Sequence, residues 1–404
     1  MKTMFCCLLG LLARLAIGQS LPADFAQAPH LKWKFQTGGP IVAAPVFSGQ
    51  TVFVGSADSS LYALDLETGK TRWRFRTGGP IRSGACLDGE RVLVLGGEGV
   101  LYALQKNSGK LLWSFRTGGE KTYPLYGYAD YYHSTPLVQD GVVYFGSGDG
   151  QVYALRSSEG RELWRFATGD VVHASPVFYQ GKIYIGSFDG YMYALDAGTG
   201  SLVWKFKSLG QRFFPKGEMQ GSPVAGRGLV FVGGRDYNLY ALDAEKGYCH
   251  WNKSFPKGWS LALSLCDSVL YAGTSDDDVM IAFDAASGQE YWRTNVQFNI
   301  FSPAVCTQGL LYFGTLHGKL FALERQSGAL RWSYKTDGYR QHQSRYFPNE
   351  EQIVKDDFYG RVGTPEGYVK AMHALGAVFS QPVLAGNLLL FGSADGGLYA
   401  LERG

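Results

Sequence analysis

A block of the form Y-A-L-D-x-x-[ST]-G-x-x-x-W recurs, with substitutions, eight times along this chain, and no other feature restricts its fold as strongly. The aromatic or aliphatic residue that opens it stands at Tyr62, Tyr102, Tyr153, Tyr193, Tyr240, Ile281, Phe321 and Tyr399. The tryptophans that close it are Trp73, Trp113, Trp164, Trp204, Trp251, Trp292 and Trp332, with Trp33 standing alone ahead of the first block. From Trp33 onward the successive gaps are 40, 40, 51, 40, 47, 41 and 40 residues. A unit of that length cannot bury its own apolar face, so each copy has to pack on its neighbours.

The stretch from Ser175 to Phe206 shows what one unit is. Ser175-Pro176-Val177-Phe178 is short and apolar, Gln180-Gly181 turns, and Lys182 to Ser187 is a β-branched and aromatic run. Asp189-Gly190 reads as a two-residue type I′ hairpin, because that turn needs positive φ at both central positions. Tyr191 to Asp196 is the next strand, and Thr199-Gly200 turns the chain into Leu202-Val203-Trp204-Lys205-Phe206. Four short antiparallel strands per repeat make one blade, so the fold is an all-β, eight-bladed β-propeller. The small residue of the block (Ala63, Ala103, Ala154, Ala194, Ala241, Ala282, Ala322, Ala400) suits a close approach of neighbouring blades, and the tryptophans are read as structural blade-docking residues. The chain opens on the Trp strand and ends after Tyr399-Ala400-Leu401, so Trp33-Lys34-Phe35 is expected to supply the outer strand of the last blade. Such closure removes exposed sheet edges.

Charge is nearly balanced: 38 basic residues face 35 acidic ones. Residues 1–18 contain Lys2, Arg14 and an apolar run from Met4 to Ala13 ahead of Ala16-Ile17-Gly18, the pattern of a secretory signal. Residues 19–404 are then one exported propeller, periplasmic or secreted and soluble, with no transmembrane segment in the mature chain. Without the signal the balance is 36 to 35, which offers no basic field for nucleic acid. Cys86, Cys249, Cys266 and Cys306 lie in or beside strands of different repeats without metal-ligand spacing. They are read as buried free thiols, with a disulfide left open.

Three insertions, at about 117–133, 207–220 and 336–378, interrupt the period between an outer strand and the next inner strand. They should gather at one mouth of the central channel, where long loops on a rigid scaffold carry function. The first holds Tyr123, Tyr126 and Tyr128, the second Arg212 and Phe214, the third Arg340, His342 and Arg345. These eight are the candidate ligand or partner residues, an aromatic and basic rim suited to a protein, a glycan or an anionic small molecule. The loops could instead pack on one another and plug the channel. In the third insertion Asn349 with Gln352 reads as a capping box ending at Gly360, and Thr364-Pro365 as a second helix start ending at Gly376. That insertion is expected to be removable without loss of the fold. Asp276-Asp277-Asp278 reads as a solvated turn rather than a Ca²⁺ site. His133, His173, His342 and His373 are scattered, and no nucleophile–base set is defensible, so no catalytic residue and no metal ligand is assigned.

The block A-x-D-x-x-T-G-x-x-x-W, as in Ala63-Leu64-Asp65 with Thr68-Gly69 and Trp73, resembles the tryptophan-docking motif of propellers of the pyrroloquinoline-quinone (PQQ) type. The resemblance spans residues 31 to 404 apart from the insertions. That family includes quinoprotein dehydrogenases and cofactor-free scaffolds such as the BamB-like outer-membrane assembly factors, which are nearest in size. Its dehydrogenases imply PQQ with Ca²⁺, a catalytic Asp, an Arg near the quinone and often two adjacent bonded cysteines. Here the adjacent pair is Cys6-Cys7, inside the signal segment. The reading is a non-catalytic scaffold or binding module with no cofactor. A PQQ-dependent dehydrogenase, for which Trp259 would be a stacking floor, and a polysaccharide-binding or sensor module are the alternatives.

Overall fold

The computed structural model describes residues 21–121, 130–349 and 353–404. These form eight four-stranded antiparallel sheets, each ordered inner to outer along the chain except the last. Blades 1 to 7 run consecutively from Val46–Ser48 to Leu330–Lys335. Blade 8 takes its three inner strands from the chain end, Val383–Ala385, Leu388–Gly392 and Gly397–Glu402, and its outer strand, His30–Gln36, from near the beginning. Trp33 lies opposite Ala400 in that pairing. The signal segment, Tyr123, Tyr126 and Tyr128 lie outside the described residues.

One contact pattern repeats round the ring. In every blade the tryptophan pairs directly across from the block's alanine, as Trp204 does with Ala194, and each of those alanines is fully buried. In blades 1 to 7 a β-bulge follows that alanine, as between Ala194 and Leu195. Each indole then reaches into the next blade. Trp164 Nε1 donates to the Ala197 carbonyl at 3.0 Å, Trp204 to Ala244, Trp73 to Lys106, Trp113 to Ser157, Trp251 to Ala285, Trp292 to Arg325 and Trp33 to Leu66. The ring lies on the block's turn glycine. A Cβ on Gly200, where φ is +72°, would stand 2.5 Å from the Trp164 ring, so the turn needs glycine twice over, for conformation and for space. Trp332 has no such glycine ahead of it. Its Nε1 donates to the carbonyl of Phe25, a fully buried residue whose own N–H donates to the Tyr312 hydroxyl.

Three expectations are corrected. The Asp-Gly hairpins are not two-residue I′ turns. Gly190 N–H donates to Ser187 O, only Gly190 of the pair has positive φ (+83°), and the loop is of the longer type that places glycine in the left-handed region. Cys266 and Cys306 are joined in a disulfide that ties the first strand of blade 6 to the first strand of blade 7, with Cα atoms 6.6 Å apart. Cys86 and Cys249 lie outside that bridge, Cys86 buried as expected and Cys249 exposed instead. The third insertion contains three helices, α1 (Asp337–Tyr346), α2 (Lys355–Val362) and α3 (Pro365–Leu375). α3 starts at the Thr364 cap and Pro365 and stops at Gly376 in the left-handed region. α2 begins later than the capping-box reading placed it and runs through Gly360 to Gly363. α1 was not anticipated; Thr336 caps it by accepting from Tyr339 N–H.

Candidate functional site

The links from each outer strand to the next inner strand meet the second hairpins on one face of the ring. Carboxylates in those hairpins hold the links. Asp149 accepts from Gly118 N–H at 2.6 Å and from the Tyr153 hydroxyl at 2.6 Å, and Asp189 accepts from Gly169 N–H and Tyr193 in the same way. Asp58, Glu98, Asp236 and Asp395 repeat the arrangement. Their role exceeds turn chemistry: each buttresses the tyrosine that opens the block and the link arriving from the preceding blade. In blade 7 the acid and the tyrosine are replaced by His317 and Phe321. His317 is fully buried among Phe298, Tyr339 and Phe347, with neither ring nitrogen partnered among the described residues, and burial holds it neutral.

Inside that face the same position of successive links lines the channel mouth. Val42, Arg82, His173, Gln220, Phe301 and Phe379 each follow a residue whose N–H is held by the neighbouring blade: Ile41 by Ser393 O, Ile81 by Ser56 O, Val172 by Ser147 O, Met219 by Ser187 O, Ile300 by Thr274 O and Val378 by Thr315 O. His133 and His173 both stand three residues before the proline of their own repeat, Pro136 and Pro176. The mouth is therefore two-sided, with an apolar arc of Phe301, Phe379 and Val42 and a polar arc of Arg82, His133, His173 and Gln220.

The third insertion closes the apolar side. Tyr339, Phe347, Phe358, Met372 and Leu375 pack with Val42, Leu261, Phe298, Phe301, Leu316 and Phe379 into one buried cluster. The first insertion joins it: Tyr131 lies against Phe379 at 4.7 Å between ring centroids, and the Tyr132 hydroxyl donates to Phe301 O at 2.9 Å. The second contributes Phe214, edge-on to Trp259 at 5.1 Å, and Trp259 stacks on Phe301 at the start of blade 6. Fully buried Arg235 lies over Phe188, Phe214 and Trp259, with Nε and Nη2 donating to Gln220 Oε1.

The candidate rim residues divide. Phe214 is buried in this packing. Arg212 is exposed on the link between blades 4 and 5, beside Phe213, which is 57% exposed, and near Leu209, at 75%. Arg340, His342 and Arg345 are exposed on α1, in the link between blades 7 and 8, three blades away. Arg340 lies over Tyr334 and pairs with Asp337; Arg345 lies over Tyr346. His342 lines an open cleft of about 490 Å³ with Lys34, Gln36, Asp337, His373 and Asp395. The basic candidates among the described residues thus stand in two places, Arg212 on one link and Arg340, His342 and Arg345 on another.

Two clusters correct the sequence reading, which takes the acidic run as a solvated turn and the histidines as scattered. In the acidic run, Lys355 of α2 places Nζ 3.2 Å from Asp276 Oδ1 and 2.5 Å from Asp278 Oδ1, and the Tyr359 hydroxyl donates to Asp276 at 2.9 Å. Burial pushes the Asp278 carboxyl up to about 6 against the pull of Lys355. Asp276 and Asp278 anchor the plug, while Asp277 accepts from Gly258 N–H of the preceding link. In the polar arc, His173 Nδ1 lies 2.9 Å from Asp130 and Nε2 lies 3.0 Å from Glu120 Oε2, with His133 4.8 Å away ring to ring. Burial alone would lower the His173 pKa, but the two carboxylate hydrogen bonds and charges outweigh it and raise it to about 9. His133 is held neutral by burial and by the charges of His173 and Arg82. The signal was present: His133 and His173 are one repeat period apart, and residues one period apart are neighbours round the ring.

The fold and this mouth define an eight-bladed PQQ-like propeller whose third insertion packs over the apolar side of its channel mouth. The chain belongs to the family whose profile is described as outer membrane protein assembly factor BamB, matched over residues 26–86, 129–213 and 189–404. Among solved structures, BamB from Moraxella catarrhalis superposes with a TM-score of 0.67 at 16% identity, covering 93% of this chain and 98% of that one. The quinohemoprotein alcohol dehydrogenase from Comamonas testosteroni superposes with a TM-score of 0.69 at 14% identity, covering 95% and 78%. Both likenesses show the fold alone. A curated relative, the dehydrogenase subunit of a quinone alcohol dehydrogenase from Gluconacetobacter polyoxogenes, is 33% identical over 110 residues, which is 24% of this chain and 13% of that protein. Among the described residues no helix is long and apolar enough to cross a membrane.

Proposed function

We propose that this chain is a non-catalytic binding propeller that engages another protein through its loop face, as an assembly factor does. The observation that carries this reading is the plug. Where a channel cofactor would sit, α1–α3 place aromatic and aliphatic side chains, and the nearby carboxylates of Asp276 and Asp278 already hold Lys355. Neither arrangement suits a planar anionic quinone with Ca²⁺. On the same face Leu209 and Phe213 are exposed beside Arg212, an apolar and cationic combination favoured at protein contacts. The Cys266–Cys306 disulfide supports an oxidising, exported location, periplasmic or secreted.

The 110-residue match to a quinone alcohol dehydrogenase subunit favours a second reading, PQQ-dependent oxidation. Calorimetric titration with PQQ and Ca²⁺, with dye reduction on a panel of alcohols and sugars, separates the two. The binding-module reading expects neither uptake nor turnover, and Ca²⁺-dependent PQQ binding with turnover would overturn it. Soluble glycans that raise the melting temperature would instead identify a glycan module, since a native-state ligand stabilises by mass action.

A further inference from the structure

We propose that Glu120, His133 and His173 form a Zn²⁺ site on the polar arc of the channel mouth, with Asp130 orienting His173. Each of the three offers one ligand atom, and these atoms all lie within 4.8 Å of one another. A tetrahedral zinc with bonds of about 2.0–2.2 Å holds its donors about 3.3–3.6 Å apart, so side-chain rotations of roughly an ångström complete the set. Glu120 Oε2 and His173 Nε2 are already 3.0 Å apart.

The side chains are built for a buried cation rather than for solvent. Those of His173, Asp130 and Glu120 are 1%, 2% and 7% exposed, and His133 is 9% exposed. Two polar atoms in this dry cluster, His133 Nδ1 and Glu120 Oε1, have no hydrogen-bond partner among the described residues. Buried polar atoms are rarely left so, and a bound ion is one of the few reasons for it. The outer contact is also the one metal-bound histidines use. His173 Nδ1–H faces Asp130, which fixes the tautomer that presents Nε2 to the metal. Asp130 is itself held through its carbonyl by Arg82 at 3.3 Å.

His173 bridges Asp130 and Glu120 through its two ring nitrogens. Zinc would displace the Nε2 proton to solvent and take over the Glu120 carboxylate, while Nδ1–H stays on Asp130. Two imidazoles and a carboxylate leave a fourth position for water or for Glu120 Oε1. Glu120 and His133 bracket the tyrosine-bearing first insertion, and His173 belongs to the next link, so one ion would staple the base of that insertion to blade 4. The donors are two nitrogens and an oxygen, a set that suits zinc better than calcium or magnesium, which prefer oxygen alone.

The full chain, stripped with chelator, is titrated with Zn²⁺ by calorimetry and thermal denaturation. One equivalent should bind and raise the melting temperature. His133→Ala and Glu120→Gln should abolish that equivalent, Asp130→Asn should weaken it about 10–100-fold, and His250→Ala, on an exposed outer strand, should leave it unchanged. X-ray absorption of the zinc-loaded parent provides a test that no variant's folding can confuse: it should show two imidazoles and oxygen ligands at about 2.0–2.2 Å. Absence of a stoichiometric ion, an absorption spectrum without imidazole, or undiminished binding by folded His133→Ala would each overturn the site.

Discussion

At the scale of single residues, the blade repeat is a three-part joint: a tryptophan, the alanine across from it, and a glycine in the next blade. Trp164 shows all three, opposite Ala154, bonded to Ala197 O and lying on Gly200. Removing the indole leaves a hole between two blades and takes one of two donors from the Ala197 carbonyl, the Tyr144 hydroxyl being the other. Trp164→Ala should therefore cost about 3–5 kcal/mol in urea denaturation, and an unchanged midpoint would show that the joint carries no stability. These positions are legible in sequence because each residue type has a separate steric duty. The histidine cluster was harder to see. His133 and His173 look scattered when read by chain position, and become adjacent only when each is placed by its position within a blade.

At the scale of elements, strands were readable and helices only partly so. α3 announces itself with Thr364-Pro365 and Gly376, whereas α1 (D-G-Y-R-Q-H-Q-S-R-Y) has no apolar stripe and buries only Gly338, Tyr339 and Tyr346. What holds α1 is its Thr336 cap and the cluster beneath it, both set by tertiary contacts. The same packing gives the third insertion a stabilising part even if the blades fold without it. Replacing residues 337–375 with a short Gly/Ser link would uncover Val42, Phe298, Leu316 and Phe379. Such a variant should bind a hydrophobic dye and melt at lower temperature while keeping its strand signature in circular dichroism. An unchanged melting temperature without dye binding would mean that the plug is only a lid.

For the whole molecule, the ring is closed by His30–Gln36 in blade 8 and by Phe25 under Trp332, while the Cys266–Cys306 bridge ties two consecutive blades together. The bridge spans 40 residues, and a loop of that length contributes about 2–4 kcal/mol when it is cross-linked. Reduction, or the Cys266→Ala/Cys306→Ala pair, should lower stability in denaturant by that amount; no change would mean the thiols are not bonded in the folded protein. The sequence by itself determined the blade number, the strand order within a blade and the closure of the ring, because period, turn glycines and packing alanines act locally and repeat. Only the tertiary structure decided which non-repeating residues meet. Cys266 with Cys306, and His133 with His173, are each one period apart, so the ring sets equivalent positions of neighbouring blades side by side. The plug likewise depends on contacts across the channel, between blades far apart in sequence, where no local pattern records the meeting.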